Sequence, residues 1–314
     1  MRVGGLRVVR PVIALAAVIA AATAVGAALE RRFGEGADRA ARRAMWLMLW
    51  VLLPVVAFFN IAALEITARV GAGIGFGYAA LAAALAVAYA LGTYVFRLSR
   101  ASVGALMLAS GFANTGYLGL PFSAALLGFD ELPNAVAYDT LVSGLSFVTV
   151  GFVIGAGFGM VAERPRERVI AFVLRNPPLW ASAAGLVAPR ALAPEWAVDG
   201  SRLLVFLILP LGCFAVGVTL ASVAGAGKRA FPPLTPPIAA ALLVKLLLAP
   251  AIVLALSETV IGVPDAYLSQ AAMASAINTI VVADQYELDR ALVAAVIAWS
   301  TAIVVAAGLV IALV

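Results

Sequence analysis

Two Asn-Thr pairs are the residues best placed to do chemistry in this chain. Asn114-Thr115 lies in SGFANTGYLGLPFS (110–123), and Asn278-Thr279 lies in AMASAINTIVVADQY (272–286). Each pair sits inside an apolar run long enough to cross a membrane. Lipid offers no partner to a carboxamide or to an opened backbone, so such groups persist at depth only where protein or water satisfies them. Beside an opened helix, these side chains can hold a carboxylate through hydrogen bonds and the positive potential of a helix start. Matching interruptions in the two halves of a chain point to a carrier with its site near the bilayer midplane.

The first interruption is the stronger one. Gly111, Gly116 and Gly119 permit backbone angles that other residues avoid. Pro121 removes a helix donor, which costs nothing in the first turn of a new half-helix. These residues predict a helix opened between Asn114 and Leu120, with close helix packing as the alternative use of the glycines. The second interruption has Ser275, Asn278 and Thr279 but neither Gly nor Pro. A continuous helix would place Ser275 and Asn278 on one face. The candidate substrate-binding set is therefore Asn114, Thr115, Gly116, Pro121, Ser275, Asn278 and Thr279.

Two charged residues within apolar spans are candidates for ion coupling. Asp139, in NAVAYDTLVSG (134–144), can exchange a proton or can simply favour a helix N-terminus. Lys245, in ALLVKLLLAP (241–250), can neutralise an anion, pair with a carboxylate, or snorkel to the interface. Asn60 reads as an interhelical hydrogen-bond partner.

The elements that must position these residues are membrane helices. Apolar residues make up 64% of the 314 residues and charged residues 12%, about half the charge of an ordinary soluble domain. Mean hydropathy is +1.09. Ten stretches suit a bilayer core: 11–29, 44–64, 74–96, 103–128, 135–161, 169–188, 202–223, 236–257, 265–283 and 291–314. Pro177-Pro178 interrupts the sixth. The first is too long for a signal-peptide core and is read as a span.

Lys and Arg set the expected orientation. Arg31, Arg32, Arg39, Arg42, Arg43, Arg97, Arg100, Arg164, Arg166, Arg168, Arg175, Lys228, Arg229 and Arg290 fall on one face. Arg2, Arg7, Arg10, Arg69, Arg190 and Arg202 fall on the other. The richer face is expected in the cytoplasm of a cell-membrane protein, with both termini outside. The net charge of +5 thus has a topological explanation and implies no nucleic-acid partner.

The halves resemble each other. LLPVVAFFNIAAL (52–64) and ILPLGCFAVGVTL (208–220) align Pro54 with Pro210, Phe58 with Phe214 and Leu64 with Leu220. Residues 1–161 and 162–314 then form two five-helix repeats. An odd number of spans per unit makes their topologies inverted.

Enzyme chemistry has little support. There is no His, and Cys213 is the single cysteine, so a Ser/His/Asp set and an intramolecular disulfide are both excluded. No phosphate-binding loop occurs, and the Gly-rich VGAGIGFG (70–77) lacks a strand–helix context. No cofactor is expected beyond a coupling H+ or Na+.

NTGYLGLPF (114–122), AVAYDTL (135–141), RNPPLWA (175–181), LPLGCFAVGVTL (209–220), VKLLLAPAIV (244–253) and AAMASAIN (271–278) together resemble the auxin efflux carrier family. That family includes plant auxin exporters and bacterial malate and malonate permeases. The resemblance implies an all-α membrane protein of ten helices in two inverted repeats, with broken helices crossing in spans four and nine. It also implies carriage of small organic anions by an elevator-like motion between a scaffold and a transport domain. Carried over by position, Asn114, Gly116 and Pro121 match the first crossover and Asn278 the second. Many members have Pro where this chain has Ala274, and the connection at 162–169 is short. Carriers of this type are often homodimers. The alternatives are a bile-acid-type sodium symporter and a non-transporting membrane sensor that kept the carrier fold.

Overall fold

The computed structural model describes residues 5–160, 170, 174, 176–224 and 232–313. The division between the expected repeats at 161/162, the charged join 162–169, and Arg2, Arg175, Lys228 and Arg229 lie outside the described residues. Among the described residues the protein is all-helical, with no strand beyond one isolated backbone bridge.

Helix α1 runs Gly5–Phe33, and Gly34, at φ +46°, turns the chain into α2, Glu35–Ala62. Then come α3 (Ala68–Val95), α4 (Arg100–Gly111), α5 (Thr115–Leu127) and α6 (Phe129–Phe158). Helices α7 (Pro177–Val187), α8 (Glu195–Ala224) and α9 (Pro236–Thr259) follow. The chain ends with α10 (Asp265–Ala271), α11 (Asn278–Gln285) and α12 (Arg290–Leu313). Among the described residues, α2, α3, α6, α8, α9 and α12 contain stretches long and apolar enough to cross a membrane.

Local sequence explains where helices begin. Thr67 Oγ1 accepts from Val70 N, Ser99 Oγ from Ser102 N and Asn176 Oδ1 from Leu179 N, at 3.2–3.3 Å. Each satisfies an orphan donor of the first turn. Pro177-Pro178 occupy the first positions of α7. The pair was expected to interrupt a span, but here it starts a helix, where a missing N–H carries no penalty. Several helices contain wide π turns, including Met48–Leu52, Thr115–Gly119, Asp139–Gly144 and Val244–Leu248. Such turns occur often at functional sites.

Two packing groups flank the breaks, and α12 bridges them by packing on both α1 and α4. Helix α1 lies along α8, α7 along α2, and α8 along α2. The α1–α8 crossing is close because Gly26 faces the Phe214 carbonyl and Gly217 faces the Thr23 carbonyl. A Cβ on either glycine would come within about 2.2 Å of that oxygen. Asn60 donates to Ser201 Oγ at 3.3 Å, joining α2 to α8 as the sequence suggested. On the other side α3 packs on α4 and α9, and α4 on α12. Two buried apolar cores flank the breaks, and Tyr117 packs against both.

The two interruptions meet. Helix α4 ends at Gly111, and α5 starts at Thr115 after three residues outside either helix. The opening is shorter and earlier than the 114–120 expected, because a π turn takes up Thr115–Gly119 and Gly119 N still reaches Asn114 O at 3.0 Å. Helices α10 and α11 are separated by 272–277, although no Gly or Pro is present there. Asn114 N donates to Ala274 O at 2.7 Å and Ala276 N to Phe112 O at 3.0 Å, forming an antiparallel bridge between Ala113 and Ser275. Each break thus satisfies backbone groups that the other has released.

Candidate functional site

A cavity of about 120 Å3 lies beside this bridge. The bridge side contributes 112–117 and 276–278, α6 contributes Asp139, Thr140, Ser143 and Phe147, and the α2–α7 pair contributes Leu49, Leu53, Asn176 and Leu179. The space therefore lies between the α2–α7 pair and a wall formed by the two breaks and α6. By volume it holds several waters or one small organic molecule.

Two helix starts open onto it, Thr115 of α5 and Asn278 of α11. The first N–H groups of a helix have no partner within that helix, and each start carries roughly half a positive charge. Asn114 and Asn278 add carboxamide donors to the same wall. Tyr117 and Asn278 line the cavity together, one from each break. Polar groups from distant parts of the chain thus converge on one small, partly apolar space, the usual form of a ligand site.

Asp139 faces this wall. Thr115 Oγ1 donates to Asp139 Oδ1. Gly116 has no side chain, and a Cβ there would lie 3.3 Å from Asp139 Oδ1. Asp139 is not at a helix N-terminus, since the regular helical part of α6 is under way from Leu132. Its place in mid-helix sets aside the dipole-capping alternative and leaves a carboxyl group held against the cavity.

The remaining sequence candidates lie elsewhere. Pro121 is buried two residues into the regular part of α5 and does not line the cavity. Ser275 is fully buried, and its N–H donates to Ser300 Oγ at 3.0 Å. Thr279 Oγ1 donates back to Ala276 O. Ser275 and Asn278 do not share a helix face, because Ser275 lies in the break and Asn278 starts the helix. Lys245 is 2% exposed, so it does not snorkel. It lines a separate, smaller cavity.

Sequence reasoning missed Tyr117, Ser143 and Asn176. Ser143 follows Asp139 by four residues, and that spacing on one helix face was a usable signal. Asn176 doubles as the cap of α7, which masks any other role in a one-dimensional reading.

Comparison with known proteins points to membrane transport. Residues 166–312 match the family model described as membrane transport protein. An uncharacterized transporter of Methanothermobacter thermautotrophicus is 33% identical over 82 residues, 26% of each chain. A second uncharacterized transporter, from Methanocaldococcus jannaschii, is 26% identical over 214 residues, 66% of each chain. These matches thus span about a quarter and about two thirds of the relatives' lengths. The chain is therefore a multi-pass membrane protein whose residues 166–312 are similar to a family of membrane transport proteins.

Proposed function

We propose that this protein is a secondary transporter of small organic carboxylate anions, working by alternating access around the cavity between the two broken helices. One observation carries the reading: the starts of α5 and α11, with the amides of Asn114 and Asn278, line a single cavity. Positive helix ends and amide donors suit a carboxylate, and the apolar wall from Leu49, Leu53 and Phe147 suits the carbon skeleton attached to it.

In this proposal ten helices form two inverted five-helix repeats in the cell membrane, with both termini outside, and the carrier works as a homodimer. Helices α1, α2, α7 and α8 are the scaffold. The crossing half-helices move against it and carry the anion across. Asp139, against the carboxylate seat through Thr115 and Gly116, couples the anion to a proton. A bound anion and an ionised Asp139 repel each other, so the pair is accommodated best when one of them carries a proton.

The test is carboxylate uptake into proteoliposomes. A hydrogen bond to a charged group is worth about 1.5–3 kcal/mol, and each 1.4 kcal/mol is about tenfold. The double variant Asn114→Ala, Asn278→Ala should therefore transport at least about tenfold more slowly while keeping its melting temperature. Wild-type flux of every tested mono- and dicarboxylate by that variant would remove the site assignment.

A further inference from the structure

Lys245 is the charged residue that the carboxylate cavity does not use. It lies on α9 within the wide turn Val244–Leu248 and is 2% exposed. Its ammonium donates to the carbonyl of Ala271, the last residue of α10, at 3.4 Å. Among the described residues no carboxylate lies within 4 Å of it. A cavity of about 20 Å3, the size for one water or a small ion, is lined in part by Lys245. That cavity is lined by Gly111 and Phe112 at the end of α4, by Ala271 at the end of α10, and by Ser143 and Ser146. Phe112, Ala113 and Ser143 line both this cavity and the larger one, so the crossing backbone stands between them.

The helix-end potentials at the two cavities are opposite. The larger cavity meets two helix starts, whereas the smaller one meets two helix ends. Each helix end carries roughly half a negative charge. Two of them together match one monovalent cation. A buried ammonium without a carboxylate is costly unless such ends and carbonyls compensate it. Half-helix C-termini with opened carbonyls are also the groups that bind a coupling sodium in carriers with broken helices.

We propose that the Lys245 ammonium, held between the ends of α4 and α10, is a tethered monovalent cation that stands where a free coupling cation would bind. The wild-type crossover is therefore complete without sodium. Removing the Lys245 side chain opens a site for Na+ or a small alkylammonium ion. The consequence for flux rests on the carrier reading above; the cation site itself does not.

The test is thermal unfolding of the purified full chain in chloride salts of sodium, methylammonium and choline at equal ionic strength. The wild type should melt at one temperature in all three. Lys245→Ala should melt several degrees lower in choline and recover part of the loss in sodium or methylammonium. A Lys245→Ala protein whose melting temperature ignores the cation overturns the proposal. Should that variant not be recovered folded, Lys245→Gln and Lys245→Arg are compared in membranes by heating and detergent extraction. Loss of folded protein with Gln and retention with Arg supports a required positive charge, and equal retention of both overturns it. Because unfolding needs no substrate and no flux, failure here is separable from failure of the carboxylate assignment. If the carrier reading also holds, wild-type uptake is indifferent to sodium and Lys245→Ala uptake is stimulated by it.

Discussion

Gly116 shows how a single missing side chain shapes the site. Its bare Cα lets the Asp139 carboxyl approach the start of α5, and Thr115 Oγ1 fixes one oxygen there. A methyl group at 116 would sit 3.3 Å from Asp139 Oδ1, tighter than an ordinary contact, so the carboxyl group must shift by a few tenths of an ångström. Gly116→Ala should therefore slow carboxylate uptake several-fold, with a melting temperature within a few degrees of wild type. Asp139→Asn keeps the shape and an acceptor for Thr115 but cannot take up a proton. In liposomes its uptake should continue down a substrate gradient and should no longer respond to an imposed pH gradient. A wild-type response to the pH step would remove Asp139 from the coupling scheme.

At the scale of elements, the two breaks are held by a pair of backbone hydrogen bonds with distinct donors. Ala274 contributes its carbonyl to the bridge, whereas Ala276 contributes its N–H. Proline at these positions should have unequal effects. Ala276→Pro deletes the donor to Phe112 O and leaves a buried carbonyl without that partner, at a cost of about 1–3 kcal/mol. Ala274→Pro spares the bridge and places at 274 the residue that many similar carriers have there. Thermal unfolding in detergent should show a lower melting temperature for Ala276→Pro than for Ala274→Pro. Closely spaced glycines give the α1–α8 pair its own specificity, since Gly26 and Gly217 let each backbone touch the other.

For the whole molecule, the distribution of charge sets the direction of insertion. Arg39 is exposed near the start of α2 and Glu195 is exposed at the start of α8; the proposed topology puts the first on the Arg-rich cytoplasmic side and the second outside. Cys213 is buried and is the only cysteine, so Cys213→Ala provides a clean background. In whole cells an impermeant thiol reagent should label Glu195→Cys and should reach Arg39→Cys only after the membrane is opened. The reverse pattern would invert the proposed topology and put both termini in the cytoplasm.

Membrane residence was legible in the chain because apolar length and rarity of charge are additive along a sequence and need no knowledge of contacts. That span four is interrupted was legible for a similar reason, since Asn114, Gly116, Gly119 and Pro121 each carry a local cost in a lipid-embedded helix, but the opening itself falls just before most of them, at 112–114. Direction within a break was not. Helical spacing placed Ser275 beside Asn278, but the chain between α10 and α11 has no helical period, so only the bridge to Ala113 decides where each side chain points. Tertiary structure alone sent Ser275 and Thr279 into the interior and Asn114, Thr115 and Asn278 to the cavity. It alone also set Lys245 against the end of α10, because that meeting joins α9 to a half-helix 26 residues away in sequence. Burial costs are written residue by residue, whereas the meeting of helix ends depends on packing across the whole bundle.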